Sequence, residues 1–167
     1  MDQGSTIIVD TREQKPLEFV TSEVSGLKTG DYSVKGYEDK FCVEHKTIKD
    51  LIGTCSHKNR ERFRRELQRM KDGFDFYCIA ISGSESDVKT ECESIYKTQM
   101  RQYAAKKRNG YKGRAPMRPE CRVPSVFGSL KAFRVDFNCH FYFLDDKNNA
   151  ADWIQEQADY YVRHKGE

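Results

Sequence analysis

Residues 30–51, GDYSVKGYEDKFCVEHKTIKDL, decide the fold, because ionisable side chains recur in this stretch beside strand-like runs. Apolar and polar residues alternate up to Lys46, which predicts a short strand with Glu44 and Lys46 on the same face. The polar segment 35–40 contains a glycine and predicts a turn before that strand. A hairpin through this turn would bring Asp31 close to Glu44.

These side chains are the residue types of a metal-dependent phosphodiesterase. Mg²⁺ prefers oxygen ligands in near-octahedral geometry and is commonly held by one or two carboxylates, several waters and a substrate phosphate. Asp31 and Glu44 can supply the carboxylates, and Lys46 can orient the attacking water and neutralise charge that develops on the phosphate. The alternative is a charge pair on a solvated strand, since an acid followed two residues later by a lysine is a common surface pattern.

The segment 7–13, IIVDTRE, completes a longer pattern with Gly30-Asp31 and with Glu-x-Lys-x-x-x-Asp-Leu-Ile. This pattern resembles the nuclease domain of the XPF family, part of the PD-(D/E)xK nuclease superfamily. The resemblance implies an endonuclease that depends on Mg²⁺ (or Mn²⁺), cuts branched, flapped or junction DNA, and leaves 5′-phosphate and 3′-hydroxyl ends. The metal-site acids of the family fall on Asp10, Glu13, Asp31 and Glu44, and its catalytic lysine falls on Lys46. Arg12 is a candidate DNA contact beside these acids.

The chain departs from the family pattern at one position, because the family usually has Glu-Arg-Lys where this sequence has His45 in the middle. A histidine replaces an arginine only partly and in a pH-dependent way. His45 is therefore either a DNA contact or a structural surface residue. Asp50 also matches the pattern, and it either supports the site or stabilises the start of a helix through the helix dipole.

Two basic segments are candidate DNA-binding surfaces. The segment 58–71 predicts a helix with one apolar stripe, formed by Phe63, Leu67 and Met70. The rest of this helix is mostly basic. Its arginines either face solvent or contact phosphates. The candidate contacts on this helix are Arg60, Arg64 and Arg65.

The second basic segment, 106–122, contains two glycines and two prolines and predicts a mobile loop inserted into the core fold. It has one acid, Glu120, against Lys106, Lys107, Arg108, Lys112, Arg114, Arg118 and Arg122. The loop either tracks a phosphate backbone or is a solubilising surface insertion. The first five of these basic residues, from Lys106 to Arg114, are the candidate DNA contacts.

The order of the predicted elements indicates an α/β fold with a single mixed sheet flanked by helices. The resemblance implies that this sheet is the restriction-endonuclease-like core of the PD-(D/E)xK nucleases. The predicted strands are 6–10, 19–27 (irregular), the hairpin arms, 74–82 and 140–144. The predicted helices are 48–55, 58–71, 92–108, 123–137 (capped by Ser125) and a last helix after a turn at 145–149.

Composition sets the limits of the hypothesis. The 167 residues predict one domain, 1–167, without room for the helix-hairpin-helix tail of many XPF-family members, so a stand-alone nuclease is expected. Its oligomeric state is open, with a homodimer as one option. Hydrophobic residues make up 37% and charged residues 33%, and no apolar run reaches the ~20 residues of a membrane span. No secretory signal is visible.

The six cysteines occur at irregular positions, several of them inside apolar runs. They predict buried, reduced thiols in an intracellular, reducing compartment rather than a disulfide framework. The Cys-His pairs at 55–57 and 139–140 lack the spacing of a zinc site.

The sequence thus predicts a metal-dependent DNA endonuclease. The alternatives are a nucleic-acid-binding module that has lost cleavage, with His45 as the sign of the loss, and a non-catalytic partner subunit of a nuclease. The second alternative predicts missing site acids, whereas all the matched acids are present.

Overall fold

A computed structural model describes residues 4–165, in which one mixed six-stranded sheet is covered by helices on both faces. The strands are β1 (Ile7–Asp10), β2 (Ser22–Ser25), β3 (Tyr32–Val34), β4 (Phe41–Thr47), β5 (Phe76–Ser82) and β6 (His140–Phe143). The helices are α1 (Ile48–Thr54), α2 (His57–Gly73), α3 (Glu85–Asn109), α4 (Val123–Phe137) and α5 (Lys147–Lys165). The predicted α/β class with a single mixed sheet is confirmed.

The sheet order is β2-β1-β3-β4-β5-β6. β3 is antiparallel to both β1 and β4, so β1 runs in the same direction as β4, and β5 and β6 continue parallel to β4. As a result, the carboxyl ends of β1 and β4 and the beginning of β3 meet at one edge of the sheet. Ligands of open α/β sheets bind outside the carboxyl ends of the strands.

Two apolar clusters fill the space on either side of the sheet. On one face, α1, α2, α3 and α4 pack against Ile79 and Ile81 of β5. On the other face, α5 packs against Cys78 and Ala80 of the same strand. Because both faces of β5 are covered, its sequence is a nearly continuous apolar run, as expected for a buried parallel strand.

Three predicted boundaries are wrong for local reasons. α3 begins at Glu85 rather than Cys92, because Ser84 and Asp87 form a capping box in which each side chain accepts the other's backbone N–H. α3 also runs to Asn109, so the basic loop starts at residue 110 and not at 106. The predicted cap Ser125 lies inside the first turn of α4, where its carbonyl accepts the hydroxyl of Ser129.

The last predicted turn is also shorter than expected, since α5 begins at Lys147. Asp146 accepts the backbone N–H of Asn149 and so stabilises the start of this helix. Within residues 4–165, no helix combines the length and apolar character needed to cross a membrane.

Candidate active site

The hairpin of β3 and β4 brings two carboxylates together, as predicted. Tyr32 pairs with Val43, and the N–H of Asp31 donates to the carbonyl of Val43 at 3.0 Å. Gly30 enters the hairpin at a φ of 83°, and a Cβ at this position would lie 2.5 Å from the sulfur of Cys42. Glycine is therefore required here both by conformation and by space. It sets the position from which the Asp31 side chain reaches the backbone N–H of His45, at 2.8 Å.

Glu44 and Lys46 lie on the same face of β4, the face that packs against α2. The Nζ of Lys46 lies 3.2 Å from Oε1 of Glu44 and 4.9 Å from the ring centroid of Phe63. The side chain of Glu44 is only 13% exposed and that of Lys46 only 11% exposed. The ion pair and the ring fix the ammonium beside Glu44.

The site carries more negative charge than Lys46 compensates. Burial raises the pKa of Glu44, Lys46 lowers it in part, and the nearby charges of Asp31 and Glu66 raise it again. Burial likewise raises the pKa of Asp31, the hydrogen bond from His45 lowers it, and Glu13 and Glu66 oppose its ionisation. The two carboxylates are therefore costly to ionise unless a cation binds between them.

Asp10 has a different role in the geometry. It is buried at the end of β1, where Oδ1 accepts the N–H of Leu27 at 2.8 Å and Oδ2 accepts Nε of Arg12 at 2.6 Å. Burial by itself raises the pKa of Asp10, but the hydrogen bonds from Arg12 and from the backbone lower it overall. Asp10 thus ties β1 to the loop that precedes Asp31.

Two adjoining cavities open around Glu44. The smaller, of about 200 Å³, is lined by Asp10, Arg12, Lys28, Thr29, Gly30, Asp31, Glu44, Glu66 and Arg69. The larger, of about 370 Å³, is lined on its charged side by Glu44, Lys46, Lys49, Asp50, Arg62 and Glu66. We call the two together the active-site cavity. It joins residues of the first strand, the hairpin and α2.

Three residues of α2 that line this cavity, Arg62, Glu66 and Arg69, were not among the predicted site residues. They recur at i, i+4 and i+7, one position before the buried stripe of Phe63, Leu67 and Met70. A shift of one position on a helix rotates a side chain by about 100°. Arg62, Glu66 and Arg69 therefore lie beside the buried face of α2. The spacing of these three residues is visible in the sequence. The sequence does not show that they face the active-site cavity.

A family model described as the ERCC4 domain matches residues 9–156. The chain belongs to the ERCC4 domain family. Two solved structures of XPF from Aeropyrum pernix have a similar fold. The family match and this similarity together confirm the predicted resemblance to the XPF nuclease domain.

The first of these structures is 18% identical, with a TM-score of 0.65, over 97% of this chain and 64% of that chain. The second, XPF in complex with DNA, is 17% identical, with a TM-score of 0.63, over 96% of this chain and 66% of that one. This ERCC4 domain thus spans less than two thirds of the length of either XPF chain. No curated protein matches the sequence.

In this ERCC4 domain His45 points away from Glu44 and Lys46. Its Nε2 lies 2.7 Å from the hydroxyl of Ser82, and its ring meets that of Tyr32 edge to face at 6.4 Å. Burial lowers the pKa of His45. The side chain therefore occupies the face of the sheet opposite Glu44, between the buried Tyr32 and the half-buried Ser82, a placement suited to a structural role.

Asp50 and Glu13 are bound locally. The hydroxyl of Thr47 donates to Asp50 at 2.8 Å and accepts the backbone N–H of Asp50, which is the cap of α1. Asp50 is exposed at the rim of the larger cavity. Glu13 is half-buried, accepts the N–H of Lys15 at 2.9 Å, and lies outside the lining of both cavities.

The predicted DNA-binding arginines of α2 separate into two groups. The guanidinium of Arg60 donates to the hydroxyl of Ser129 at 2.5 Å and lies over the ring of Phe133. Arg64 pairs with Asp136 at 2.9 Å, so both arginines hold α2 against α4. Arg65 is exposed.

The basic candidates in the second segment are all exposed, but on different elements. The last turn of α3 carries Lys106, Lys107 and Arg108, and the following loop carries Lys112 and Arg114. A cluster of lysines and arginines at a helix carboxyl end is stabilised by the helix dipole. These five side chains are thus available to solvent or to a phosphate backbone.

The four metal-site acids of the resemblance stay a prediction, and each of them accepts a hydrogen bond from the protein. Among residues 4–165, no group of three or more histidine, cysteine, aspartate or glutamate side chains is arranged to hold an ion. Asp10 accepts hydrogen bonds from Arg12 and Leu27, and Glu13 accepts the backbone N–H of Lys15. Asp31 and Glu44 line the same cavity, and two neighbouring carboxylates suit Mg²⁺, which commonly keeps several waters.

Proposed function

We propose that this ERCC4 domain is a divalent-metal-dependent endonuclease that hydrolyses phosphodiester bonds in branched, flapped or junction DNA. The products would be 5′-phosphate and 3′-hydroxyl ends. The observation that carries the proposal is the grouping of Asp31, Glu44 and Lys46 at the sheet edge, with both carboxylates on one cavity and the ammonium 3.2 Å from Glu44.

Asp31 and Glu44 would hold the metal, Mg²⁺ or Mn²⁺. When bound, such an ion polarises the phosphate and lowers the pKa of water, which supplies a nucleophile at neutral pH. The remaining steps belong to the chain. Lys46, fixed between Glu44 and the Phe63 ring, would orient the attacking water and balance the charge that develops on the phosphate.

Asp10 and Arg12 would keep this geometry in place. Asp10 fixes the loop before Asp31 through its bond to Leu27, and Arg12 also donates to the carbonyl of Leu27 at 2.8 Å. The Arg12 side chain is 67% exposed at the rim of the cavity, so a part of it stays accessible to a DNA phosphate.

DNA would bind along the basic side chains that surround this edge. Lys49, Arg62 and Arg69 line the active-site cavity, and Arg65 and the exposed residues of 106–114 extend the positive surface. The DNA complex of the XPF structure supports the choice of DNA as substrate. In this proposal the domain spans residues 1–167, with a homodimer as one option for its assembly. It works in a reducing compartment, in accord with six free thiols of which five are buried.

Cleavage of flap, fork and four-way-junction DNA in Mg²⁺ or Mn²⁺ tests the proposal. Lys46→Ala and Asp31→Asn should each lower cleavage about 100-fold or more, because the first removes the cation that would act on the reacting phosphate and the second removes a carboxylate that would hold the metal. Asparagine keeps an acceptor for the N–H of His45, so the hairpin is preserved. Lys89→Ala, on an exposed part of α3, is the control and should cleave as the wild type does.

DNA binding measured in EDTA separates loss of chemistry from loss of binding. Both site variants should bind with near wild-type affinity. If the wild-type protein binds these DNAs but cuts none of them with either metal, the endonuclease proposal is wrong and the chain is a nucleic-acid-binding module.

A further inference from the structure

A second cleft lies on the far side of the turn that joins α1 to α2. Its volume is about 580 Å³, within the ~300–1,000 Å³ range of ligand sites. Residues 116–122 of the basic loop form one wall, and α3 from Gln99 to Lys106 forms another. The turn residues Cys55, Ser56 and His57 complete it. We call this space the arm cleft.

The arm cleft and the active-site cavity share the α1–α2 turn as a dividing wall. Gly53 and Asn59 line the active-site cavity, whereas Ser56 and His57 line the arm cleft. The wall is fixed, because the carbonyl of Gly53 accepts the N–H and the hydroxyl of Ser56 and the amide of Asn59. A DNA strand that leaves the active-site cavity over this turn therefore meets the arm cleft next.

The lining of the arm cleft suits a single nucleic acid strand. Lys106, Arg118 and Arg122 supply three cations against the one acid Glu120. Tyr103 is half-buried in the same lining and offers an aromatic face. Grooves for single strands combine positive charge along the backbone with aromatic side chains on which bases stack.

The beginning of α2 adds a further positive feature at this wall. Its first turn contains no acidic residue, and the cap residue Ser56 makes no side-chain bond to the helix because its hydroxyl donates to Gly53. The partial positive charge of this helix start is therefore not offset locally. Together with the three cations it favours a phosphate group at the boundary between cleft and cavity.

We propose that the arm cleft binds the single-stranded arm of a branched DNA while the duplex next to the branch lies across the opening of the active-site cavity. The proposal rests on the proposed function, since it assigns the cleft to a part of that substrate. It gives a physical reason for preferring branched over plain duplex DNA. A duplex has no free strand to cross the α1–α2 turn, so it leaves the cations and Tyr103 of the cleft without a partner.

Protection of Cys121 from alkylation tests the proposal in the unaltered protein. Cys121 lines the arm cleft and is exposed, whereas the other five cysteines are buried, so maleimide should label it first. In EDTA, saturating forked DNA should slow the alkylation of Cys121 at least about fivefold, since a single strand bound in the groove covers this wall. A duplex of the same sequence without the arm should not. Equal protection by both DNAs, or by neither, overturns the proposal.

Paired variants give a second test. Arg118→Ala with Arg122→Ala should weaken the binding of forked DNA in EDTA about tenfold and leave the arm-less duplex unchanged, as measured by fluorescence anisotropy. Lys89→Ala, near the start of α3 and far from the cleft, is the matched control. If the double variant weakens both DNAs equally, the cleft contacts duplex and the proposal is wrong.

The two proposals fail in different ways. Protection and affinity are measured without metal and so do not depend on cleavage. A protein that shows arm-dependent protection but no cleavage would contradict the endonuclease function alone, and a protein that cleaves without arm-dependent protection would contradict the arm cleft alone.

Discussion

Glu44 combines burial with negative charge, and this combination has a cost in the metal-free protein. Burial raises the pKa of Glu44 to about 8 from its usual 4.5, with Asp31 and Glu66 adding to the effect against Lys46. Between these two pH values the folded state binds more protons than the unfolded state. The free energy of unfolding therefore falls as the pH rises through this window.

Glu44→Gln should remove this loss, because glutamine does not titrate and keeps a similar shape. We expect the variant to be more stable than the wild type at pH 8 in EDTA, and the difference to shrink toward pH 5, as measured by urea unfolding. Glu156→Gln, exposed on α5, is the control and should change little at either pH. A stability difference that does not change with pH would contradict the expectation.

Asp10 is predicted to act mainly on stability. Asp10→Ala leaves the buried N–H of Leu27 and the guanidinium of Arg12 without their acceptor, and a lost partner of this kind costs about 1–3 kcal/mol. We expect a fall of roughly that size in the free energy of unfolding, measured by urea denaturation at neutral pH. Asp152→Ala, exposed on α5, should stay within about 0.5 kcal/mol of the wild type. An Asp10 variant of unchanged stability would favour a direct metal-binding role instead.

At the scale of the element, α2 has two functional sides. Phe63, Leu67 and Met70 are buried, and the side chains beside this stripe face either the active-site cavity or α4. Arg69 belongs to the cavity side, and Arg60 belongs to the α4 side. Arg60 and Arg69 therefore lie in different environments, although the sequence alone does not distinguish them.

The two sides should separate in a pair of variants. Arg69→Ala should weaken DNA binding and reduce the slope of affinity against salt by about 1, because one phosphate contact is lost, while stability stays nearly unchanged. Arg60→Ala should lower stability by about 1–2 kcal/mol, since it loses Ser129 and the Phe133 ring. Its effect on DNA affinity should be smaller. Anisotropy at several salt concentrations and thermal unfolding measure both, and the reverse pattern would contradict the assignment.

Most elements were predictable because their periodicity is local. Alternation in 41–46 and the stripe of 63, 67 and 70 define β4 and α2 without reference to distant residues. The start of α3 was missed because the capping box of Ser84 and Asp87 lies in a polar stretch that resembles a loop. The basic residues 106–109 were ambiguous for the same reason, since charge by itself does not separate a helix end from a loop.

At the scale of the whole molecule, the candidate site forms where the sheet and helix α2 meet, at the carboxyl ends of β1 and β4. The sheet brings Asp10, Asp31 and Glu44 to the same edge through the antiparallel β3. The helix layer then places Arg62, Glu66 and Arg69 over it. The α1–α2 turn separates this cavity from the arm cleft.

The sequence by itself determined the family, the α/β class, and the grouping of Asp31, Glu44 and Lys46, because a hairpin and a two-residue alternation are short-range features. Only the tertiary structure decided that His45 faces away from the site, that Asp10 is held by Arg12 and Leu27, and that Glu66 lies beside Glu44. These outcomes depend on which surfaces of distant segments pack together. Side-chain packing across the sheet is a non-local property, and spacing along the chain does not encode it in a readable way.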